Sequence, residues 1–255
     1  MIKAIFFDID GTLLSFRTHQ VSEGTIEAFK VLRQKGIKTF ISSGRPPLLI
    51  SPMPITFDGY ITMNGGYCYE GNNVLLSNPI SLQSSQRWLH YAKEHNICTF
   101  SFFENEIYVN YISKEAEKLR NDLGFQMPPI LPIEELEGRR VFQFIVMQPS
   151  IDDAKVLAEL PDCRMPRWHP AFSDLVPMHS SKALGIEAII KHYGIAREET
   201  MAFGDGGNDI EMLQYVQLGV AMGNASHEVQ QVADYVTTSV DEEGIWNALK
   251  YFNII

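Results

Sequence analysis

Two aspartates, Asp8 and Asp10, stand directly after a nearly continuous apolar run at residues 2–7. A second acidic group, Asp205 with Asn208 and Asp209, follows the apolar residues 200–203 through Gly204. Ser43-Gly44-Arg45 comes just past another apolar run, residues 37–41, and Lys182 follows Ser180-Ser181. Carboxylates gathered at the ends of buried strands repel one another and take up protons unless a cation sits among them. Asp8, Asp10, Asp205 and Asp209 offer only hard oxygen ligands, with no His or Cys among them, and Mg²⁺ is the expected metal. Magnesium accepts few protein ligands and completes its shell with water and substrate phosphate, so the same acids point to a phosphorylated substrate.

Other residues admit two readings each. Lys182 opens a helix, where the macrodipole disfavours a cation, so it is either a solvated surface lysine or a group facing bound phosphate. Ser43 and Gly44 are either ordinary turn residues or the hydroxyl and open backbone amide that a phosphate oxygen takes. Asp8 and Asp10 can cap a turn, but two acids following a buried apolar strand are costly without a function.

The elements that must position these groups are short. Residues 2–7, 37–41 and 60–63 read as strands buried on both faces, with a helix at 22–34 capped by Ser22 and stopped by Gly36. Strand, helix, strand is a βαβ pattern. The last third repeats it: a helix at 181–193 ending at Gly194, strands at 200–203, 218–221 and 235–237, a helix after the acidic group, another near Glu228, and a terminal helix from about Asp241. In such sheets ligands bind outside the carboxyl ends of the strands, where the acids collect.

The middle differs. A helix at 81–95 leads into a hairpin of 97–103 and 107–110 around Glu104-Asn105-Glu106, then a helix at 113–123 and a loop with Pro128, Pro129 and Pro132. A strand at 141–147, a helix at 151–160 and two strands within 163–176 complete it, an antiparallel pattern. The expected fold is therefore α/β: a Rossmann-like parallel-sheet core from residues 1–80 and 179–255, with an inserted α+β cap domain at 81–178.

Composition narrows the function. The 255 residues carry a formal net charge of -10, which argues against nucleic acid or an anionic membrane as the main partner. The longest apolar runs, such as residues 144–147, fall far short of the ~20 a spanning helix needs. Asp8 and Asp10 break the N-terminal run, so no signal peptide is expected, and the expected location is cytoplasmic. Cys68, Cys98 and Cys163 are widely spaced and read as small buried residues of a reducing compartment. Asn224-Ala225-Ser226 reads as a chance glycosylation match.

Together the pieces resemble the haloacid dehalogenase superfamily of phosphatases. The resemblance rests on Asp8-Ile9-Asp10-Gly11-Thr12-Leu13, on Ser43 with Gly44-Arg45, on Lys182, and on Gly204-Asp205-Gly206-Gly207-Asn208-Asp209. The long insert, and Asn64-Gly65-Gly66 ahead of it, look like the Cof-type subfamily with its class IIB cap. The resemblance implies that Asp8 attacks phosphorus and becomes an aspartyl phosphate, and that Asp10 protonates the leaving group and then activates water. It further implies that Asp8, the Asp10 carbonyl and Asp205 hold Mg²⁺ with Asp209 in support. Ser43, Gly44, Lys182 and Asn208 would bind the phosphoryl oxygens, under a closing cap. The implied partner is a small phosphorylated metabolite, such as a sugar phosphate.

Nothing in the core motifs reads the rest of such a substrate. Residues 167–174 of the insert mix aromatic and hydrogen-bonding side chains, which suits a sugar or small ring. Trp168, His169 and Asp174, together with Arg45, are the candidate substrate contacts. The alternative is that Trp168 and Phe172 are cap core and the polar residues exposed strand positions. Four rival functions are a sugar phosphomutase, an ion-pumping ATPase, which needs membrane spans that the sequence does not offer, a non-catalytic metabolite-binding regulator on the same fold, and a nicotinamide-binding domain. A pure binder needs no nucleophile, and the glycines at 204, 206 and 207 do not form the dinucleotide fingerprint. The oligomeric state is not legible.

Overall fold

Alternating apolar runs and amphipathic stretches fold into the elements their periods demand. The computed structural model describes residues 1–148, 152–167 and 170–255. In chain order, β1 (Ala4–Phe7), α1 (Glu23–Gln34), β2 (Lys38–Ser42), β3 (Gly59–Thr62), β4 (Tyr67–Glu70) and β5 (Asn73–Ser77) come first. Then follow α2 (Leu82–Glu94), β6 (Thr99–Phe102), β7 (Ile107–Val109), α3 (Lys114–Leu123), α4 (Ile133–Leu136), β8 (Gln143–Val146), α5 (Asp153–Glu159), β9 (Cys163–Arg164) and β10 (Ser173–Pro177). The last stretch holds α6 (Lys182–Tyr193), β11 (Thr200–Gly204), α7 (Ile210–Tyr215), β12 (Leu218–Ala221), α8 (His227–Val232), β13 (Tyr235–Val236) and α9 (Gly244–Tyr251).

These elements form two compact units, one of Met1–Arg45, Leu49–Ser77 and Ser181–Ile255, the other of Asn78–Ser180 with Pro46–Leu48. The first is built on a sheet of order β13-β12-β11-β1-β2-β3-β4-β5, parallel from β13 to β3 and antiparallel beyond. β1 lies at the switch point: the chain steps to β2 and β3 on one side and to β11, β12 and β13 on the other. Register fixes what arrives there. Phe7 pairs with Ile41 of β2 and with Phe203 of β11, so Asp8, Ser42 and Gly204 leave the sheet at one level.

Alternation along β1 serves two cores. Ala4 and Phe6 join Phe40, Ile186, Ile189, Met212 and Val229, under α6, α7 and α8. Ile5 and Phe7 join Leu32, Met201, Phe203 and Leu249, under α1 and α9. Phe6 and Phe40 stack at 5.0 Å, as do Phe7 and Phe203 at 5.2 Å. Each such buried ring contributes about 1.5–3 kcal/mol to the fold that brings these strand ends together.

Serine caps start the helices as their sequence positions suggest: Ser22, Ser81, Ser113 and Ser181 each accept a backbone N–H from the first turn. Gly194 ends α6 in the left-handed conformation. Two expectations differ. Tyr67–Glu70 and Asn73–Ser77 form a hairpin that extends the sheet, where the βαβ reading stops at Gly66. The terminal helix starts at Gly244, because Val240–Glu242 forms a separate 3₁₀ turn and Glu243 sits at φ 59°.

The second unit is an antiparallel sheet of order β7-β6-β8-β10-β9. Trp88, Leu89, Leu136, Val156, Phe144 and Leu175 form its core, and the Trp88 indole N–H donates to Thr99 at 3.2 Å. Phe172 is buried, as the cap-core reading has it, and so is Asp174, which is therefore no exposed strand position. Trp168, His169 and the start of the 151–160 helix lie outside the described residues. No helix among the described residues is long and apolar enough to cross a membrane. Cys68, Cys98 and Cys163 are free and buried.

Candidate active site

Lys182 organises the centre. Its side chain is fully buried, and its ammonium donates to Asp8 Oδ1 at 2.6 Å and to Asp209 Oδ1 at 2.5 Å. The surface-lysine alternative is thereby excluded. Burial acts to discharge this ammonium, but the Asp209 and Asp8 carboxylates outweigh it and hold the group above the usual lysine range. Burial pushes the Asp8 carboxyl well above the usual carboxylate range; Lys182 draws it back, while Asp209 and Asp205 push it further.

Asp205 and Asp209 come from the tight loop after β11. Asp209 is fully buried, and its Oδ2 accepts the backbone N–H groups of Asp205 at 3.0 Å and Gly206 at 2.9 Å. Thus one carboxylate both folds the loop and anchors Lys182. Asp205 accepts from the Thr12 hydroxyl at 2.8 Å and from the Asn224 amide at 3.3 Å. Burial raises its carboxyl to about 7, the Thr12 hydrogen bond opposing and the Asp209 charge adding.

The donor set fits a divalent cation. Asp8, Asp205 and Asp209 each bring a carboxylate oxygen to within 4.8 Å of the others. Ionised, the three acids outnumber the single positive charge of Lys182, so the uncompensated charge suits a dication, and the oxygen-only chemistry suits a hard one.

Around this cluster stand the remaining groups. Asp10 receives both arms of Arg45, Nε to Oδ2 at 2.8 Å and Nη2 to Oδ1 at 2.6 Å, while Nη1 donates to the Leu49 carbonyl at 2.9 Å. Arg45, expected among the substrate contacts, is thus engaged with a neighbouring acid. Ser43 is buried, and its hydroxyl accepts the Arg45 backbone N–H at 3.1 Å. It is a turn residue whose own proton is still available for donation. Asn208 donates from Nδ2 to Asn64 Oδ1 at 3.0 Å, close beside Gly44. The structure therefore gathers Asp8, Asp205, Asp209 and Lys182 in one cluster, pairs Asp10 with Arg45, and sets Ser43 and Gly44 beside Asn64 and Asn208. Asp174 belongs to the second unit.

Sequence reasoning gave no role to Thr12, Asn64 or Asn224. Asn224 donates to the Gly11 carbonyl at 2.9 Å and accepts from the Val240 N–H at 2.9 Å, tying two loops to the acid cluster. Its position just past β12 is the available signal, because the strand-end rule that marks Asp8 and Asp205 applies there too.

A family model for haloacid dehalogenase-like hydrolases matches residues 5–249. The chain belongs to this family. Its haloacid dehalogenase-like relatives include a protein of Bacillus subtilis (strain 168), provisionally named a phosphatase. That protein is 33% identical over 259 residues, covering 99% of this chain and 98% of its own length. The structure of a subclass IIB sugar phosphatase of the same superfamily superposes with a TM-score of 0.91 at 40% identity, covering 99% of this chain and all of that one. A phosphatase of the superfamily from Bacteroides thetaiotaomicron gives 0.94 at 36% identity, covering all of this chain and 96% of that one. The expectations of a Cof-type haloacid dehalogenase-like hydrolase, of an α/β fold with a parallel core, and of a phosphoric monoester hydrolase are borne out. Phosphatases of this family act on phosphorylated substrates and generally use a divalent metal. None of these comparisons favours a mutase or a non-catalytic binder.

Proposed function

We propose that the protein is a Mg²⁺-dependent phosphatase of a small metabolite, a sugar phosphate or similar phosphomonoester, that works through an aspartyl phosphate on Asp8. The observation that carries this reading is the buried ammonium of Lys182 held between Asp8 and Asp209, with Asp205 alongside. The 40% identity to a sugar phosphatase supports the substrate class.

Asp8 attacks phosphorus, splitting one hard displacement into two easier ones. Asp10 protonates the departing oxygen and later takes a proton from the attacking water. Lys182, the Ser43 hydroxyl, the Gly44 amide and Asn208 stabilise the charge on the phosphoryl oxygens. Asp8, the Asp10 carbonyl and Asp205, with Asp209 in support, would hold Mg²⁺, which would supply further charge neutralisation at those oxygens. The second unit, residues 81–178 in the sequence reading, selects the rest of the molecule, and the protein works in the cytoplasm.

A screen of phosphorylated metabolites, scored by release of inorganic phosphate with Mg²⁺ present, tests this reading. Stoichiometric phosphate from a sugar phosphate is the expected result. Transfer to a second hydroxyl without free phosphate overturns it in favour of a mutase, and no turnover of any phosphomonoester overturns it altogether.

A further inference from the structure

The stretch Met63-Asn64-Gly65 holds three consecutive residues at positive φ, 50°, 52° and 84°. Such backbone costs on the order of 1–3 kcal/mol per non-glycine residue and persists only where the surroundings enforce it. Here it follows β3, at the same edge of the sheet as the loops after β2 and β11. Asn64 is buried, and it is among the residue types that best tolerate the left-handed region.

Each residue of the turn is tied to a different part of the site. The Met63 N–H donates to the Arg45 carbonyl at 3.0 Å, and the Asn64 N–H donates to the Ser43 carbonyl at 3.1 Å. A Cβ on Gly65 would lie 1.9 Å from the carbonyl oxygen of Ser181, so the turn sits directly against the cap of the helix that starts with Lys182. The Asn64 side chain then reaches across: its Oδ1 accepts from Asn208 Nδ2 at 3.0 Å. A Cβ on Gly44 would stand only 3.1 Å from Asn64 Oδ1, so the paired amides lie over the open backbone of Gly44.

We infer that Asn64 is a positioning residue for phosphate, acting through Asn208. The inference rests on the reading of Asn208 as a phosphoryl ligand. An amide NH₂ carries two protons. Asn64 engages one of them, which fixes the plane of the otherwise exposed Asn208 side chain and commits the other proton to an acceptor beside Gly44. Without Asn64 the Asn208 amide is free to rotate, and the ligand loses its orientation before substrate arrives. The left-handed turn is the backbone conformation that delivers the Asn64 carbonyl to this place.

The test uses Asn64→Gly, which keeps the left-handed backbone at no steric cost and removes the side chain with its amide. It is compared with Asn208→Ala and with the double variant, using p-nitrophenyl phosphate turnover and calorimetric binding of inorganic phosphate to the Mg²⁺-loaded protein. Asn64→Gly is expected to lower kcat/KM and phosphate affinity about tenfold, with an unchanged or higher Tm. The double variant is expected to match Asn208→Ala within about twofold. Wild-type kcat/KM and phosphate affinity in Asn64→Gly overturn the inference, as do losses that multiply in the double variant. A wild-type protein that binds phosphate without hydrolysing any ester speaks against the phosphatase reading, and the binding comparison still decides the role of Asn64.

Discussion

Arg45 grips Asp10 with a two-pronged hydrogen bond, Nε to Oδ2 and Nη2 to Oδ1, and its third nitrogen is anchored on the Leu49 carbonyl. The pair is partly exposed, so its net stabilisation is modest and its value lies in geometry. A planar fork fixes the carboxylate plane, which a lysine cannot do. Arg45→Lys is therefore expected to cost about tenfold or more in kcat/KM on alkyl phosphates, whose leaving oxygen needs the proton from Asp10. On p-nitrophenyl phosphate, whose phenolate leaves unaided, the loss in kcat/KM, which reports formation of the phosphoenzyme, should be much smaller. A rise in KM with kcat unchanged on both substrates would make Arg45 a plain substrate contact.

Asp8→Asn should leave the fold intact, because the amide keeps the shape of a buried carboxyl, needs no buried charge, and leaves Lys182 paired with Asp209. Turnover should fall by several orders of magnitude, since an amide oxygen is a poor nucleophile. A folded Asp8→Asn protein with near-normal phosphate release contradicts the aspartyl-phosphate route.

The acid cluster predicts an unusual stability profile without metal. Asp205 titrates at about 7 in the folded protein against an ordinary value of 3.8, so between these limits the folded state holds a proton that the unfolded state has lost. Stability is then highest below about pH 4 as far as this group is concerned, and it declines as pH rises through 7. Asp8 is shifted in the same direction. In chelator, Asp205→Asn should flatten the fall of Tm between pH 5 and 8 relative to wild type. Mg²⁺ binds the ionised acids, so its stabilising effect should grow over the same range, and chelation should abolish activity that Mg²⁺ restores. Parallel Tm profiles for wild type and Asp205→Asn without metal, or full activity in a verified metal-free preparation, contradict this account.

Much of the site was legible because β1 is a continuous apolar run, while β2 runs into Phe40-Ile41 and β11 into Ala202-Phe203, each cut off by small or polar residues. Pairing in parallel register carries those cut-offs to one edge, so Asp8, Ser43 and Asp205 could be placed from sequence alone. The groups that hold the ligands in place were not legible. Thr12, Asn64 and Asn224 act through hydrogen bonds between loops 144 to 213 residues apart in sequence, and no local pattern encodes such a contact. The β4–β5 hairpin carried a signal, Gly71-Asn72 between two β-prone runs, but it adds an antiparallel edge to a sheet whose parallel strands are joined by crossovers. Arg45 reads as one more cation near a phosphate site until its partner is seen.

The core site accounts for phosphate, metal and water and contains nothing that reads a sugar, so specificity should reside in the second unit. Asp174 is the described member of the expected contacts there: it lies on β10, buried, with its backbone N–H on the Pro166 carbonyl at 3.0 Å. A buried carboxylate on a rigid strand is a precise acceptor for a hydroxyl, and one that loses its partner leaves unpaired polar groups behind. Asp174→Asn and His169→Gln are expected to change the ratio of kcat/KM among sugar phosphates by roughly tenfold or more. On p-nitrophenyl phosphate, which offers no hydroxyls, kcat/KM should change far less. Because Asp174 is buried, Tm is measured alongside. A parallel fall on every substrate with a lowered Tm would mark it as a structural acid of the second unit, and no change on any substrate would remove both residues from the specificity site.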